Sequence, residues 1–111
     1  MLENNTFNAE LRITMKDIKE IQKILKNNFP ELEQKYQVKS IGTFGSYVRN
    51  EQKQGSDIDL LVTFKKKPSL FKFIELEDYL SELLDTKVDL VMESALKPNI
   101  GKHIRDEVLM I

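Results

Sequence analysis

The stretch VKSIGTFGSYVRNEQKQGSDIDLLVTF, residues 38–64, decides the fold of this chain. Its first part, residues 38–44, is rich in β-branched and aromatic residues, which favours a strand. This strand runs directly into Gly45 and Ser46, a dipeptide typical of a tight turn. Residues 46–50 are compatible with a helical turn or two. The first half of the stretch therefore predicts a strand, a tight turn and a short helical segment.

The second half of the stretch predicts a loop followed by another strand. Residues 51–56 are polar and contain a glycine, as surface loops do. Residues 57–64 alternate between two faces, which is the period of a β-strand. Asp57 and Asp59 therefore point to the same side. The opposite, apolar face consists of Ile58, Leu60, Val62 and Phe64.

A helical pattern precedes the stretch. Thr14 and Asp17 resemble a capping box at its start, and Phe29-Pro30 is expected to end or bend the helix. Its apolar stripe consists of Ile18, Ile21, Leu25 and Phe29.

Two further helices and one strand follow the stretch. Ser69 caps a predicted helix that ends near Asp85, and residues 87–92 alternate again, with Asp89 pointing away from the core. Residues 98–111 suggest a last helix. The expected apolar side of the helix after Ser69 consists of Leu70, Phe73, Ile74, Leu76, Leu80, Leu83 and Leu84; that of the last helix consists of Ile100, Ile104, Val108 and Met110.

Strands mixed with helices, without a repeat or a linker, predict an α/β fold with a small mixed sheet covered mainly on one face. We expect a polar N-terminal segment at residues 1–13 and a single domain at residues 14–111. The aspartates should then emerge on the uncovered face of the sheet.

Composition and charge exclude several function classes. The 17 Lys and Arg residues nearly balance the 18 Asp and Glu residues, so no global positive field would hold the chain on nucleic acid. The chain has no cysteine, which excludes disulfides, thiolate metal sites and a cysteine nucleophile. No apolar stretch reaches the roughly 20 residues that span a bilayer, and the N-terminus lacks a signal-peptide layout. We therefore expect a cytoplasmic protein without membrane contact.

Two features receive no functional role. Lys65, Lys66 and Lys67 are more typical of a solvated loop than of a nucleic-acid patch, because no aromatic residue is interleaved with them. His103 is the only histidine, and a lone histidine in an amphipathic helix usually lies at the surface or the edge of the core.

The aspartates form the candidate metal site. Asp57 and Asp59 project from one side of a strand, about 6.7 Å apart along the chain. Asp89 can supply a third carboxylate if the two strands are neighbours. Such a cluster is favourable only with a cation, and oxygen ligands without His or Cys favour Mg²⁺ or Mn²⁺. Two ions bound in this way suit phosphoryl transfer.

The turn at Gly45 and Ser46 is the candidate phosphate site. Glycine lets the backbone approach a phosphate closely, and backbone N–H groups at a helix start point toward anions. Ser46 adds a hydroxyl donor. Arg49 is one turn further on, and its guanidinium can reach the same phosphates.

The segment GSYVRNEQKQGSDIDLLV, residues 45–62, contains Gly-Ser, ten further residues and then Asp-x-Asp. This pattern resembles the polymerase-beta-like nucleotidyltransferase superfamily, and Asp89 in KVDLV is similar to the third carboxylate of that superfamily. The short length and the ending ALKPNIGKHIRDEVL resemble most the minimal nucleotidyltransferase (MNT) proteins. The resemblance covers residues 14–111.

The resemblance implies specific roles. Asp57 and Asp59 would bind both metal ions, Asp89 would bind one and help to activate the acceptor hydroxyl, and Gly45 and Ser46 would hold the nucleoside triphosphate. MNT proteins are encoded beside HEPN-domain ribonuclease toxins as their antitoxins. The implied reaction is transfer of AMP from ATP to a tyrosine hydroxyl of the toxin, which would be the partner in a hetero-oligomer.

One departure and two alternatives accompany this interpretation. Asn50 stands where relatives commonly have glycine, and asparagine tolerates the left-handed backbone that such a turn requires. The same fold can also neutralise a toxin by binding alone, with a vestigial or only nucleotide-binding site. A third possibility is nucleotidyl transfer to a small molecule such as an aminoglycoside.

Overall fold

The computed structural model describes residues 16–111, which form a four-stranded mixed sheet with two long helices on one face. This arrangement confirms the predicted α/β class. No helix within residues 16–111 has both the length and the apolar composition needed to cross a bilayer. The elements, in chain order, are α1 (Ile18–Tyr36), β1 (Val38–Phe44), β2 (Ile58–Phe64), α2 (Leu70–Leu84), β3 (Val88–Met92), a 3-10 turn (Glu93–Ala95), α3 (Pro98–Glu107) and β4 (Leu109–Met110).

The sheet has the strand order β3-β2-β1-β4. β1 is antiparallel to both of its neighbours, whereas β2 and β3 are parallel and are connected by α2. The parallel pair needs such a crossover because its strands run in the same direction. β2 therefore lies between β1 and β3, which meets the condition under which Asp89 can join Asp57 and Asp59.

Helices α1 and α2 contact each other, and they pack on β1 and β3 respectively. Burial of apolar side chains between these helices and the sheet is the main stabilising contribution to the fold. The buried cluster consists of Ile21, Leu25, Leu32, Tyr36, Val38, Ile41, Tyr47, Ile58, Leu60, Val62, Leu76, Leu80, Leu84, Val88 and Leu90.

Helix α1 differs from its predicted bounds. Asp17 is its N-cap and accepts a hydrogen bond from the Glu20 N–H at 2.9 Å, whereas Thr14 lies outside the described residues. Of the two alternatives predicted for Phe29-Pro30, a helix end or a bend, the end is wrong, because α1 continues to Tyr36 with Pro30 inside it. A proline removes one backbone donor, and burial of the following turn at Leu32 and Tyr36 favours a continued helix.

Helix α2 begins and ends where its caps predict. The Ser69 hydroxyl accepts from the Lys72 N–H at 3.1 Å, and Asp85 ends the helix in the left-handed conformation, with φ 50°.

The predicted apolar side of α2 is wrong at its N-terminal end. Leu70 is 71% exposed and Ile74 is 45% exposed, whereas the buried positions are Leu76, Leu80 and Leu84. At 3.6 residues per turn, Leu70 and Ile74 lie roughly 120° to 160° around the helix from Leu76. They cannot face the sheet together with that buried stripe.

The C-terminal helix is shorter than predicted. α3 ends at Glu107 with Val108 as its C-cap, and Leu109 and Met110 then form β4, the strand that pairs with β1. Ile104 is buried, but Ile100 is 54% exposed and Met110 belongs to β4. Gly42 in β1 explains the pairing, because the space that a Cβ would need there is taken by Met110, Leu109 and Val108.

Candidate active site

Two of the three predicted carboxylates lie directly opposite each other on adjacent strands. Asp59 in β2 and Asp89 in β3 are register partners in the parallel ladder, and adjacent strands lie about 4.8 Å apart. The residues on either side of Asp59, Ile58 and Leu60, are fully buried beneath the helices. Asp59 and Asp89 therefore share the other face of the sheet.

The third carboxylate, Asp57, immediately precedes β2. The Ile58 N–H donates to the Lys87 carbonyl at 2.9 Å, which fixes the start of β2 beside the start of β3. Because Asp57 and Asp59 are two residues apart in extended chain, they lie on the same side. The structure thus brings all three predicted aspartates to one end of the β2–β3 pair.

The pKa of Asp59 is raised by its surroundings in this cluster. Partial burial, followed by the negative charges of Asp89, Asp57 and Glu107, raises the pKa of its carboxyl from 3.8 to about 6, and Arg49 partly opposes this. A carboxyl in such surroundings is stabilised in its charged form by a nearby cation.

The donor set fits a hard divalent cation. Asp57, Asp59 and Asp89 offer only carboxylate oxygens, the ligands that Mg²⁺ prefers. Within residues 16–111, no three acidic or histidine side chains are already gathered into a ligand cluster.

The turn after β1 presses directly against Asp59. Gly45 is buried and has φ 83°, a left-handed conformation that glycine adopts without strain. A Cβ at this position would overlap Oδ2 of Asp59. The predicted phosphate turn and the predicted metal ligands therefore form one continuous site.

Backbone hydrogen bonds close this turn. The N–H groups of Val48 and Arg49 both donate to the Gly45 carbonyl, at 3.1 and 3.3 Å, and the Glu51 N–H donates to the Ser46 carbonyl at 2.8 Å. The predicted short helical segment is one such turn and not a regular helix. Ser46 is half-buried in this turn, directly after Gly45.

A backbone conformation at Asn50 and a side-chain hydrogen bond of Tyr47 define the loop that follows. Asn50 has φ 56°, the left-handed conformation expected for this position. The buried Tyr47 donates its hydroxyl hydrogen bond to the Ser56 carbonyl at 3.3 Å, which ties the turn to the residue before Asp57. Burial and the charge of Asp57 raise the pKa of Tyr47, so this hydroxyl stays protonated.

Arg49, the predicted phosphate ligand, is held by two carboxylates. Its Nε donates to Glu51 at 2.7 Å and its Nη1 donates to Glu107 at 2.5 Å. Sequence reasoning missed Glu107, because nothing in the local pattern at the end of the last helix indicates that it lies beside the turn.

Comparison with known proteins gives close sequence relatives. The sequence model of a family described as nucleotidyltransferase domain matches residues 18–110. A Methanocaldococcus jannaschii protein, provisionally described as the protein adenylyltransferase MJ0128, is 53% identical over 98 residues, which cover 87% of this chain and 100% of that protein. The protein adenylyltransferase MntA of Thermococcus cleftensis is 50% identical over 99 residues, covering 89% of this chain and 100% of MntA.

Solved structures share the fold at lower identity. One provisionally described as a minimal nucleotidyltransferase superposes with a TM-score of 0.73 at 27% identity, covering 86% of this chain and 97% of that chain. A toxin-antitoxin structure with AMP-PNP has a TM-score of 0.61 at 27% identity, covering 79% and 66%. A variant of the toxin-antitoxin pair MntA-HpeT has a TM-score of 0.57 at 26% identity, covering 84% and 68%.

Proposed function

This chain belongs to the nucleotidyltransferase domain family and is an enzyme of that class, and we propose that it is an antitoxin that transfers AMP from ATP to a tyrosine hydroxyl of a HEPN-domain toxin. The names of its relatives support a protein as the acceptor and AMP as the transferred group. The similar complexes support ATP as the donor and a toxin as the partner. The HEPN class of the toxin and the tyrosine acceptor follow from the resemblance noted in the sequence.

The observation that supports this proposal most is the in-register pair of Asp59 and Asp89 against the turn at Gly45. In-line transfer to a hydroxyl needs negative oxygen ligands beside a surface that seats the triphosphate. Here a single sheet end offers both.

The proposed reaction is a substitution at the α-phosphorus of ATP. The tyrosine oxygen attacks this phosphorus, the bond from it to the bridging oxygen of the β-phosphate breaks, and pyrophosphate leaves. The proton of the hydroxyl passes to a carboxylate. Asp89 is our candidate for this role because it is exposed on an edge strand, where an acceptor can approach. Backbone N–H groups at Gly45 and the Ser46 hydroxyl would hold the phosphates.

The carboxylates of Asp57, Asp59 and Asp89 would hold Mg²⁺, which when bound stabilises charge on the triphosphate and lowers the pKa of the attacking hydroxyl. The raised pKa of Asp59 supports a need for positive charge at this point.

Intact-mass measurement of the toxin tests this proposal. A HEPN-domain protein from a gene adjacent to that of this chain is the candidate toxin; it is incubated with the chain, ATP and Mg²⁺, and we expect its mass to rise by one or more AMP groups. The double variant Asp57→Asn/Asp59→Asn should lose at least a hundredfold in transfer rate while still binding the toxin. Asp78→Asn, an exposed carboxylate on α2, is the matched control and should transfer normally.

The outcomes separate the alternatives. No mass increase with a verified partner and the wild-type chain would overturn protein AMP transfer. Full neutralisation of the toxin in cells by the double variant would instead assign the antitoxin effect to binding alone. Modification of an aminoglycoside in place of the toxin would identify a small-molecule transferase.

A further inference from the structure

An ion-pair cluster joins the phosphate turn to the C-terminal helix. Arg49 lies within the turn, and its own N–H donates to the Gly45 carbonyl. Its guanidinium contacts Glu51, two residues away, and Glu107, which is 58 residues away at the end of α3. The long-range pair is therefore a tertiary contact between the site and α3.

The two carboxylates of this cluster differ in exposure. The Glu107 side chain is 15% exposed, whereas that of Glu51 is 63% exposed. Exposed pairs are screened by water and contribute little. The geometry of the guanidinium therefore depends mainly on Glu107.

The guanidinium keeps donors for a further ligand. Only Nε and Nη1 are engaged, and Nη2 has no hydrogen-bond partner within residues 16–111. Because arginine carries five N–H donors in a fixed fork, fixing one side of the fork also fixes the direction of the other.

The pair also lies beside the carboxylate cluster. Both Glu107 and Arg49 act electrostatically on Asp59, with opposite signs. Asp59 in turn occupies the space above Gly45. The guanidinium, the turn and the aspartates therefore share one small region.

We propose that Glu107 is a positioning residue that fixes the Arg49 guanidinium beside the Gly45-Ser46 turn, where its free donors bind the phosphates of the nucleotide. This inference rests on the proposed function, since it assumes that a nucleoside triphosphate binds at the turn. An arginine side chain loses considerable rotamer freedom when it binds an anion. Ordering it before the nucleotide arrives removes that loss from the binding step.

If Glu107 restrained Arg49 in place of positioning it, the predicted effect on nucleotide affinity would be reversed. If Glu107 and Glu51 held Arg49 away from the phosphates, the nucleotide would have to displace them, and removing Glu107 would strengthen binding. A positioning role requires that removing Glu107 weakens binding.

Titration with a fluorescent, non-hydrolysable ATP analogue and Mg²⁺ tests the inference without a toxin. We expect Glu107→Ala to raise the Kd about three- to tenfold and Glu107→Gln, which retains an acceptor oxygen, to raise it less. Arg49→Ala should weaken binding by itself and remove any further effect of Glu107→Ala. Glu93→Gln breaks a second ion pair to α3 among the described residues, with Arg105 at 4.0 Å, and should leave the Kd unchanged.

A transfer assay adds a second readout. Glu107→Gln should raise the KM for ATP with little change in kcat, because the reacting groups themselves are intact. An unchanged or lower Kd in both Glu107 variants would overturn the positioning role, as would an equal effect of Glu107→Ala with and without Arg49. A wild-type chain that does not bind the analogue would overturn the proposed function itself, and the inference with it.

Discussion

Gly45 meets two separate requirements at one position. Its φ of 83° disfavours any residue with a side chain, and Oδ2 of Asp59 occupies the place of a Cβ. Gly55 meets only the first requirement, since its φ is 89° and no atom of residues 16–111 lies within 4 Å of an added Cβ. The two glycines therefore separate backbone strain from the collision with Asp59.

We predict that Gly45→Ala reduces AMP transfer at least a hundredfold, because the methyl group displaces the Asp59 carboxylate. Gly55→Ala should destabilise the fold by about 1 kcal/mol and retain most of the activity. Initial transfer rates and urea unfolding of both variants check this. Equal activity loss in the two variants would show that strain alone explains the effect.

The raised pKa of Asp59 links its charge to stability. The folded protein binds this proton up to a pH of about 6, whereas the unfolded chain releases it near 3.8. The folded state therefore binds more protons between these values, and stability falls as the pH rises through this window.

We predict that Asp59→Asn is more stable than the wild type at pH 7 without divalent cations, and that the difference disappears by about pH 4. The uncharged amide removes the repulsion from the neighbouring carboxylates. Melting temperatures of both proteins between pH 4 and 7 in EDTA test this. A constant difference across that range would exclude Asp59 as the titrating group.

At the scale of elements, α2 separates core residues from surface residues along one helix. Leu80 is fully buried, whereas Phe71 is 85% exposed. We predict that Leu80→Ala lowers the free energy of unfolding by about 2 to 5 kcal/mol, and that Phe71→Ser changes it by less than about 0.5 kcal/mol. Denaturant titrations of both variants provide the measurement. A large effect of Phe71→Ser would contradict its exposed position.

The sequence predicted the elements whose signals are local. The bounds of β1 and the caps of α2 at Ser69 and Asp85 follow from nearby residue types, and the structure agrees with them. The continuation of α1 through Pro30 could not be predicted, because it depends on burial of Leu32 and Tyr36 against the rest of the fold. β4 was missed for the same reason, since its two residues pair only because Gly42 leaves room for them.

In the candidate site, too, the sequence predicted the local features but not the contacts between distant parts of the chain. Alternation along a strand predicted that Asp57 and Asp59 share a side, and the ladder places Asp89 beside Asp59. The contact of Gly45 with Asp59 and the pairing of Arg49 with Glu107 join distant parts of the chain, and no local pattern indicates them.

At the scale of the whole molecule, ligand binding should be measurable as stability. We predict that ATP with Mg²⁺ at about 100 times its Kd stabilises the wild type by about 2.7 kcal/mol. For a domain of this size, that corresponds to a rise in Tm of roughly 10 °C or more. Thermal unfolding with and without the nucleotide measures the shift. The variant Asp57→Asn/Asp59→Asn should show much less of it, and an equal shift in both proteins would place the nucleotide elsewhere.

The pairing of β2 with β3 makes the geometry of the site independent of the length of the connection between the two strands. Asp59 and Asp89 are held opposite each other by main-chain pairing, while the 23 residues that join the two strands run behind the sheet. An extra helical turn inserted into the exposed start of α2 would therefore leave the carboxylates where they are. One residue inserted between Val88 and Asp89 would move Asp89 out of register with Asp59. The length of the crossover can therefore vary among related proteins, whereas the register of β3 against β2 must stay the same.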